Sequence, residues 1–148
     1  MVAISFSIFK EKVRTGEKRR TTRPFSGRRY RQLERIGRVQ LYWKQRTKEC
    51  EKLGEGEILE LAIVKVRKWG LLMRWDPLSR IYQIVEKHKL GKFVKEEGFD
   101  SYEDYYQWLE DRYGSKKLED MEFMTMKWYL VEPEKERARE EKEKRRGR

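Results

Sequence analysis

The sequence predicts an α+β chain, a small mixed β-barrel of about five to six strands with flanking helices and a charged C-terminal tail. Three observations carry this. Short alternating apolar segments recur along the first 75 residues and again near residue 125. Helical spacing appears in a few separate places and never in a regular βαβ rhythm. The 148 residues include five Trp, eight Tyr and six Phe, enough large aromatics to close one core in a chain of single-domain length.

Ala3–Phe6 alternates and reads as a first strand. Ile8–Thr15 reads as a short helix, with Ser7 as N-cap and Gly16 as the residue past its end. Arg19–Arg23 is rich in β-branched Thr and reads as a strand stopped by Pro24. Phe25–Gly37 is an Arg-rich connector with a helical turn over Arg29–Ile36. Val39, Leu41 and Trp43 alternate with polar residues in a strand, and Gly54 with Gly56 marks a turn. Glu57–Val66 is a strong strand, and Trp69–Trp75 continues the sheet until Asp76-Pro77 breaks it. Leu78–Leu90 has helical spacing through Ile81, Ile84 and Val85. Ser101–Tyr113 is the clearest helix: Ser101 and Asp104 make a capping-box-like pair, and Tyr102, Tyr105, Leu109 and Tyr113 share a face. Glu122–Val131 alternates as a closing strand. Trp69, Trp75 and Trp128 are expected in the core.

Several classes are excluded by composition. No apolar run approaches the length of a membrane span, and Met1–Phe9 is too short to be a signal peptide. Cys50 is the only cysteine and His88 the only histidine, so a cysteine zinc site, an internal disulfide and a His-dyad metal site are ruled out. No metal, no cofactor and no membrane partner is expected, and the reading is a soluble cytoplasmic protein. The chain has no Asn and is rich in Lys, Arg and Glu, which resembles a thermophile bias.

The net charge of +11 is concentrated in one segment. Lys10–Arg46 holds 14 basic residues against Glu11, Glu17 and Glu34, while the rest of the chain balances. Glu96–Glu122 is acidic, with a local net of −7. A basic block carrying Tyr30, Tyr42 and Trp43 fits a polyanion surface with rings for base stacking; its plain alternative is a solvated face. Pro133–Arg148 is nearly all Glu, Lys and Arg, a tail outside the core, so the domain is placed at 1–132 and the tail at 133–148.

The most informative residues are Gly16, Lys18, Thr21 and Arg23, in the run Gly16-Glu17-Lys18-Arg19-Arg20-Thr21-Thr22-Arg23. The run resembles the G-x-K-x-x-T-x-R signature of the ASCH family, the activating-signal-cointegrator homology domain, and falls between a short helix and a strand as it does there. Glu97-Gly98-Phe99-Asp100 ahead of an amphipathic helix and the aromatic last strand are also similar, so the resemblance spans roughly Ile4–Val131. It implies a PUA-like barrel with a cleft lined by the signature, and a role in RNA or nucleotide metabolism. Some members of the family resemble RNA-binding modules, a small branch is an acetylcytidine amidohydrolase, and at least one is described as a ribonuclease. Carried over, the amidohydrolase residues are Lys18, Thr21 as nucleophile and Glu97, with Glu96 beside it able to take the same slot. In a regular strand Lys18 and Thr21 would face opposite sides, so sharing a cleft requires a bulge or a late strand start near Lys18.

Function is therefore expected in a basic cleft for single-stranded RNA or a nucleotide. Gly16, Lys18, Arg19, Arg20, Thr21, Arg23, Trp43, Lys44 and Arg46 are the binding candidates. Lys44 and Arg46, two apart after the Trp43 strand, are expected on one side. The alternative is a hydrolase using Lys18, Thr21 and Glu97, and the plain reading of Lys18 with Glu97 is a structural ion pair. Ribonucleoprotein components are a further expected partner, and a protein-interaction role for the aromatic helix is a third class.

Overall fold

The computed structural model describes residues 2–131 and 142–146. Seven strands and five helices alternate irregularly: β1 (Val2–Phe6), α1 (Lys10–Thr15), β2 (Arg20–Pro24), α2 (Gly27–Ile36), β3 (Arg38–Trp43), β4 (Glu51–Arg67), β5 (Gly70–Arg74), β6 (Gln83–Ile84), α3 (Lys87–Glu97), α4 (Tyr102–Tyr113), α5 (Ser115–Asp120) and β7 (Phe123–Leu130). Residues 142–146 are helical and exposed; the remainder of the expected tail lies outside the described residues.

All seven strands belong to one mixed sheet built around β4. Its first half pairs with β3 and its second half with β5, while β7 runs antiparallel to it from Gly56 to Val64. β1 joins β3 in parallel, and β2 joins the far side of β7. The sheet is open: β1 and β2 end it on either side without pairing to each other. Two side chains reach the β1 edge instead, one from β2 and one from α2. Arg23 donates to the Ser5 carbonyl at 2.7 Å and Arg29 to the Ala3 carbonyl at 2.7 Å. The α+β class stands; closure of the sheet into a barrel is not observed.

The core follows from the period of two along β4 and β7. Ile63, Met124, Met126 and Trp128 face β1, β3, α1 and α2. Ala62, Val64, Val66 and Phe123 face α3, α4 and α5. Gly56 explains the length of β4. A Cβ there would come within 2.7 Å of the Trp128 indole, so the glycine lets the strand run on under a fully buried Trp. The turn expected at Gly54 and Gly56 is thus strand interior.

Other expectations are corrected too. α2 is a full helix from Gly27, capped by the Ser26 hydroxyl, because Tyr30 and Leu33 bury beside β1 and β4. Helix α1 starts at Lys10 after Phe9 in a left-handed conformation (φ 62°), and Ser7 is not its cap. Of Leu78–Leu90 only the last four residues are helical, from Lys87 in α3, and Gln83–Ile84 is the short strand β6. Arg74 holds the 76–82 loop through the carbonyls of Pro77 and Ser79 and the Tyr82 hydroxyl, leaving Leu78 and Ile81 exposed. Helix α3 begins after it and buries Leu90, Phe93, Val94 and Glu97, the true helical stripe. Trp69 and Trp75 are more than half exposed, because they flank the short β5 at the sheet's thin end; Trp128 alone of the three is core.

Candidate functional site: a cleft beside the open seam

Gly16 ends α1 with φ 85°, a conformation that costs a side-chain-bearing residue far more than glycine. The chain then turns without strand pairing: the Lys18 amide donates to Lys12 O, the Arg19 amide to Glu96 O, and β2 starts only at Arg20. This late start frees Lys18 from the strand's alternation. Its ammonium curls to the carbonyls of Arg20 (2.8 Å) and Glu97, with the Glu97 carboxylate at 3.4 Å. Lys18, Thr21 and Glu97 then line one cavity of about 670 Å³, together with Arg23 and Lys44.

The buried side of this site is a hydrogen-bonded chain. Thr22 donates to Glu97 Oε1 at 2.6 Å, and Tyr105 OH lies 2.8 Å from Thr22 Oγ1. Because the single Thr22 proton goes to the carboxylate, Tyr105 is the donor to Thr22. Burial, and then the Glu97 charge, hold the Tyr105 phenol well above its ordinary pKa, which keeps it a donor. Burial draws Lys18 down from its usual value to about 8; Glu97 opposes that shift and Arg23 adds to it. Arg23 is lowered as well, first by burial, and donates through Nε to Thr21 Oγ1 at 3.1 Å.

The outer walls were not anticipated. Phe99 from the α3–α4 turn and Trp108, Arg112 and Tyr113 from α4 complete the cavity. The Arg112 guanidinium lies 5.4 Å from the Trp108 ring and 5.9 Å from the Tyr113 ring, and Phe99 packs 6.0 Å from Trp108. Trp108 and Arg112 are four apart on a helix, a spacing visible in the sequence. It was overshadowed by the stripe of Tyr102, Tyr105 and Leu109 that faces the core.

Glu96 answers the question of which glutamate faces the cleft. It points the other way, to Lys127 (2.7 Å), Arg19 (3.6 Å) and Arg20 (3.8 Å). Arg20 also pairs with Glu60, donates to Thr125 Oγ1 and covers the Phe93 ring. Arg19 and Arg20 therefore lie outside the cleft. Gly16 shapes the approach without lining it. Trp43 packs against the core beneath Lys10 and Lys44. Lys44 and Arg46 do not continue β3. Both take left-handed backbone angles, so the chain turns and only Lys44 lines the cleft.

Among the described residues no His, Cys, Asp or Glu cluster is arranged to hold a metal, and no helix is long and apolar enough to cross a membrane. Comparison with family models, with curated proteins and with solved structures returns no match for this chain.

Proposed function

We propose that the cleft binds one nucleotide unit, free or within single-stranded RNA, and that the surrounding sheet is a PUA-like barrel of the ASCH type left open at one seam. One observation carries the binding reading: a cationic wall of Arg23, Lys44 and Arg112 meets an aromatic wall of Phe99, Trp108 and Tyr113 in a single cavity. Guanidinium forks match phosphate oxygens in pairs, and a base stacked on an aromatic ring contributes about 1–3 kcal/mol. A volume of about 670 Å³ suits a small-molecule-sized ligand and admits no duplex. The ASCH reading is supported by the late start of β2, which lets the signature lysine and threonine share a cleft.

A second reading, hydrolysis of an amide on a modified nucleoside, is favoured by Lys18, with its pKa lowered to about 8, lining the same cavity as Thr21. A neutral Lys18 would accept the Thr21 proton and Glu97 would orient the amine. Binding ranks first because Lys18 directs its protons at two backbone carbonyls and Glu97, a positioning arrangement.

The test is calorimetric titration of nucleoside monophosphates into the wild type, Trp108→Ala and Arg112→Ala. Each variant should bind about tenfold more weakly or worse, with thermal stability nearly unchanged. No binding of any monophosphate by the wild type sinks the reading. Turnover of N-acetylcytidine that disappears in both Lys18→Ala and Thr21→Ala would put the hydrolase in its place.

A further inference from the structure

The 14 basic residues of Lys10–Arg46 divide into two groups. Seven carry a carboxylate partner: Lys10, Arg14, Lys18, Arg19, Arg20, Arg38 and Lys44. Of the others, Arg23 and Arg29 bond to β1 carbonyls, and Arg28, Arg31 and Arg35 are exposed with no carboxylate at salt-bridge distance among the described residues. Lys12 donates to the Gly98 carbonyl and Arg46 lies in the turn after β3, but the other five of this second group gather at β2's end and on α2. Arg28, Arg31 and Arg35 recur at i, i+3 and i+7, opposite buried Tyr30 and Leu33, and form one stripe.

A second cavity, of about 310 Å³, adjoins the cleft and reaches the start of α2, the helix that carries this stripe. It runs along the open seam between β1 and β2, is lined by Ser26 and Arg29 from α2's start, and shares Ser5, Arg23 and Pro24 with the cleft. A phosphate beside Arg23 would stand between the two cavities. We infer that the ligand is a single-stranded polynucleotide, with one nucleotide in the cleft, the next in the seam cavity beyond Arg23, and its backbone continuing over Arg28, Arg31 and Arg35. The inference rests on the reading of the cleft as a nucleotide site. The stripe from Arg28 to Arg35 spans about 10 Å of helix, which matches roughly three stacked nucleotides, so the footprint is about five. Unpaired strands fit because each base must leave its stack to enter a cavity.

The test measures binding of uridine monophosphate and of oligouridylates of two, five and eight nucleotides by competition against a labelled octamer. Deoxy strands and an RNA duplex serve as further arms. The wild type, Trp108→Ala, the triple Arg28→Glu/Arg31→Glu/Arg35→Glu variant and a control triple, Lys87→Glu/Lys89→Glu/Lys92→Glu on α3, are compared. Affinity should rise to about five nucleotides and then level. The α2 triple should weaken the five-mer at least tenfold and leave the monophosphate within twofold, with circular dichroism confirming the fold. The α3 triple, with the same change in net charge, should do neither. Ribose and deoxyribose strands of equal length tell which polynucleotide is preferred. A monophosphate that binds as tightly as the five-mer overturns this inference and leaves the cleft reading standing. It is also overturned by equal damage from both triples, by five-mer binding indifferent to Trp108→Ala, or by duplex binding as strong as single-stranded. If neither monophosphate nor five-mer binds, both readings fall.

Discussion

Glu96 and Glu97 are consecutive, end the same helix and are equally buried, yet the chain sends them to opposite sides. Glu96 meets Lys127, Arg19 and Arg20, and Arg20 is further matched by Glu60. Glu97 meets Lys18 and Thr22 at the wall of a cavity that also holds Arg23, Lys44 and Arg112. The first cluster staples α3 to β2 and β7 and borders a cavity of about 420 Å³ whose lining nearly balances, with Arg20, Lys89, Lys92 and Lys127 against Glu60, Glu86 and Glu96. The second leaves cations over at an opening. The difference shows that burial of charge does not mark a site by itself; a surplus of one sign facing a cavity does.

The largest test of this contrast is Glu97→Ala. It leaves Lys18 buried without its carboxylate and Thr22 without its acceptor, so unfolding by urea should show a loss of about 3–5 kcal/mol. A loss under about 1 kcal/mol would mean that Lys18 is satisfied by its two carbonyls alone.

Next comes pH. The folded-state pKa of Lys18, about 8, lies below its unfolded value near 10.5. Between these values the folded state binds fewer protons, so stability rises with pH across that window, by roughly 3 kcal/mol from this group. Lys18→Met should lack that rise. Urea midpoints at pH 7.5 and 10, taken as the difference between wild type and variant, cancel the titration of other groups. Parallel curves for the two proteins would refute the assignment.

Glu96→Ala should be milder, about 1–3 kcal/mol, because Arg20 keeps Glu60, Arg19 already reaches solvent and Lys127, left without its carboxylate, is partly exposed. Ligand affinity of the cleft should not change. A Glu96 variant that lost nucleotide binding while still folded would erase the distinction between the two clusters.

Much of the site was legible before the fold. Gly16, Lys18, Thr21 and Arg23 stand out as a spaced run, and a late strand start follows from alternation once the ASCH resemblance puts Lys18 and Thr21 in one cleft. Arg46 misled because a strand was extended past its end; the left-handed turn at Lys44 and Arg46 leaves no mark in residue type, while Trp43, inside β3, packs onto the core. Arg19 and Arg20 misled in another way. Their charge was visible, but their partners Glu60, Glu96 and Thr125 come from three other elements. The helix expected over Leu78–Leu90 starts only at Lys87, because the apolar spacing of Ile81 and Ile84 imitates a helix where Arg74 pins a loop through Pro77, Ser79 and Tyr82.

What the residues alone determine is local: the period of β4 and β7, the helix of Ser101–Tyr113, the turn at Gly16 and the stock of positive charge between Lys10 and Arg46. Each depends on neighbours a few positions away. Which cations stay unneutralised, which glutamate faces the cleft and where the sheet stays open were decided only by tertiary structure. Those properties belong to pairs far apart in the chain, such as Lys18 with Glu97 or Arg23 with Ser5, and electrostatic pairing depends on distance in space.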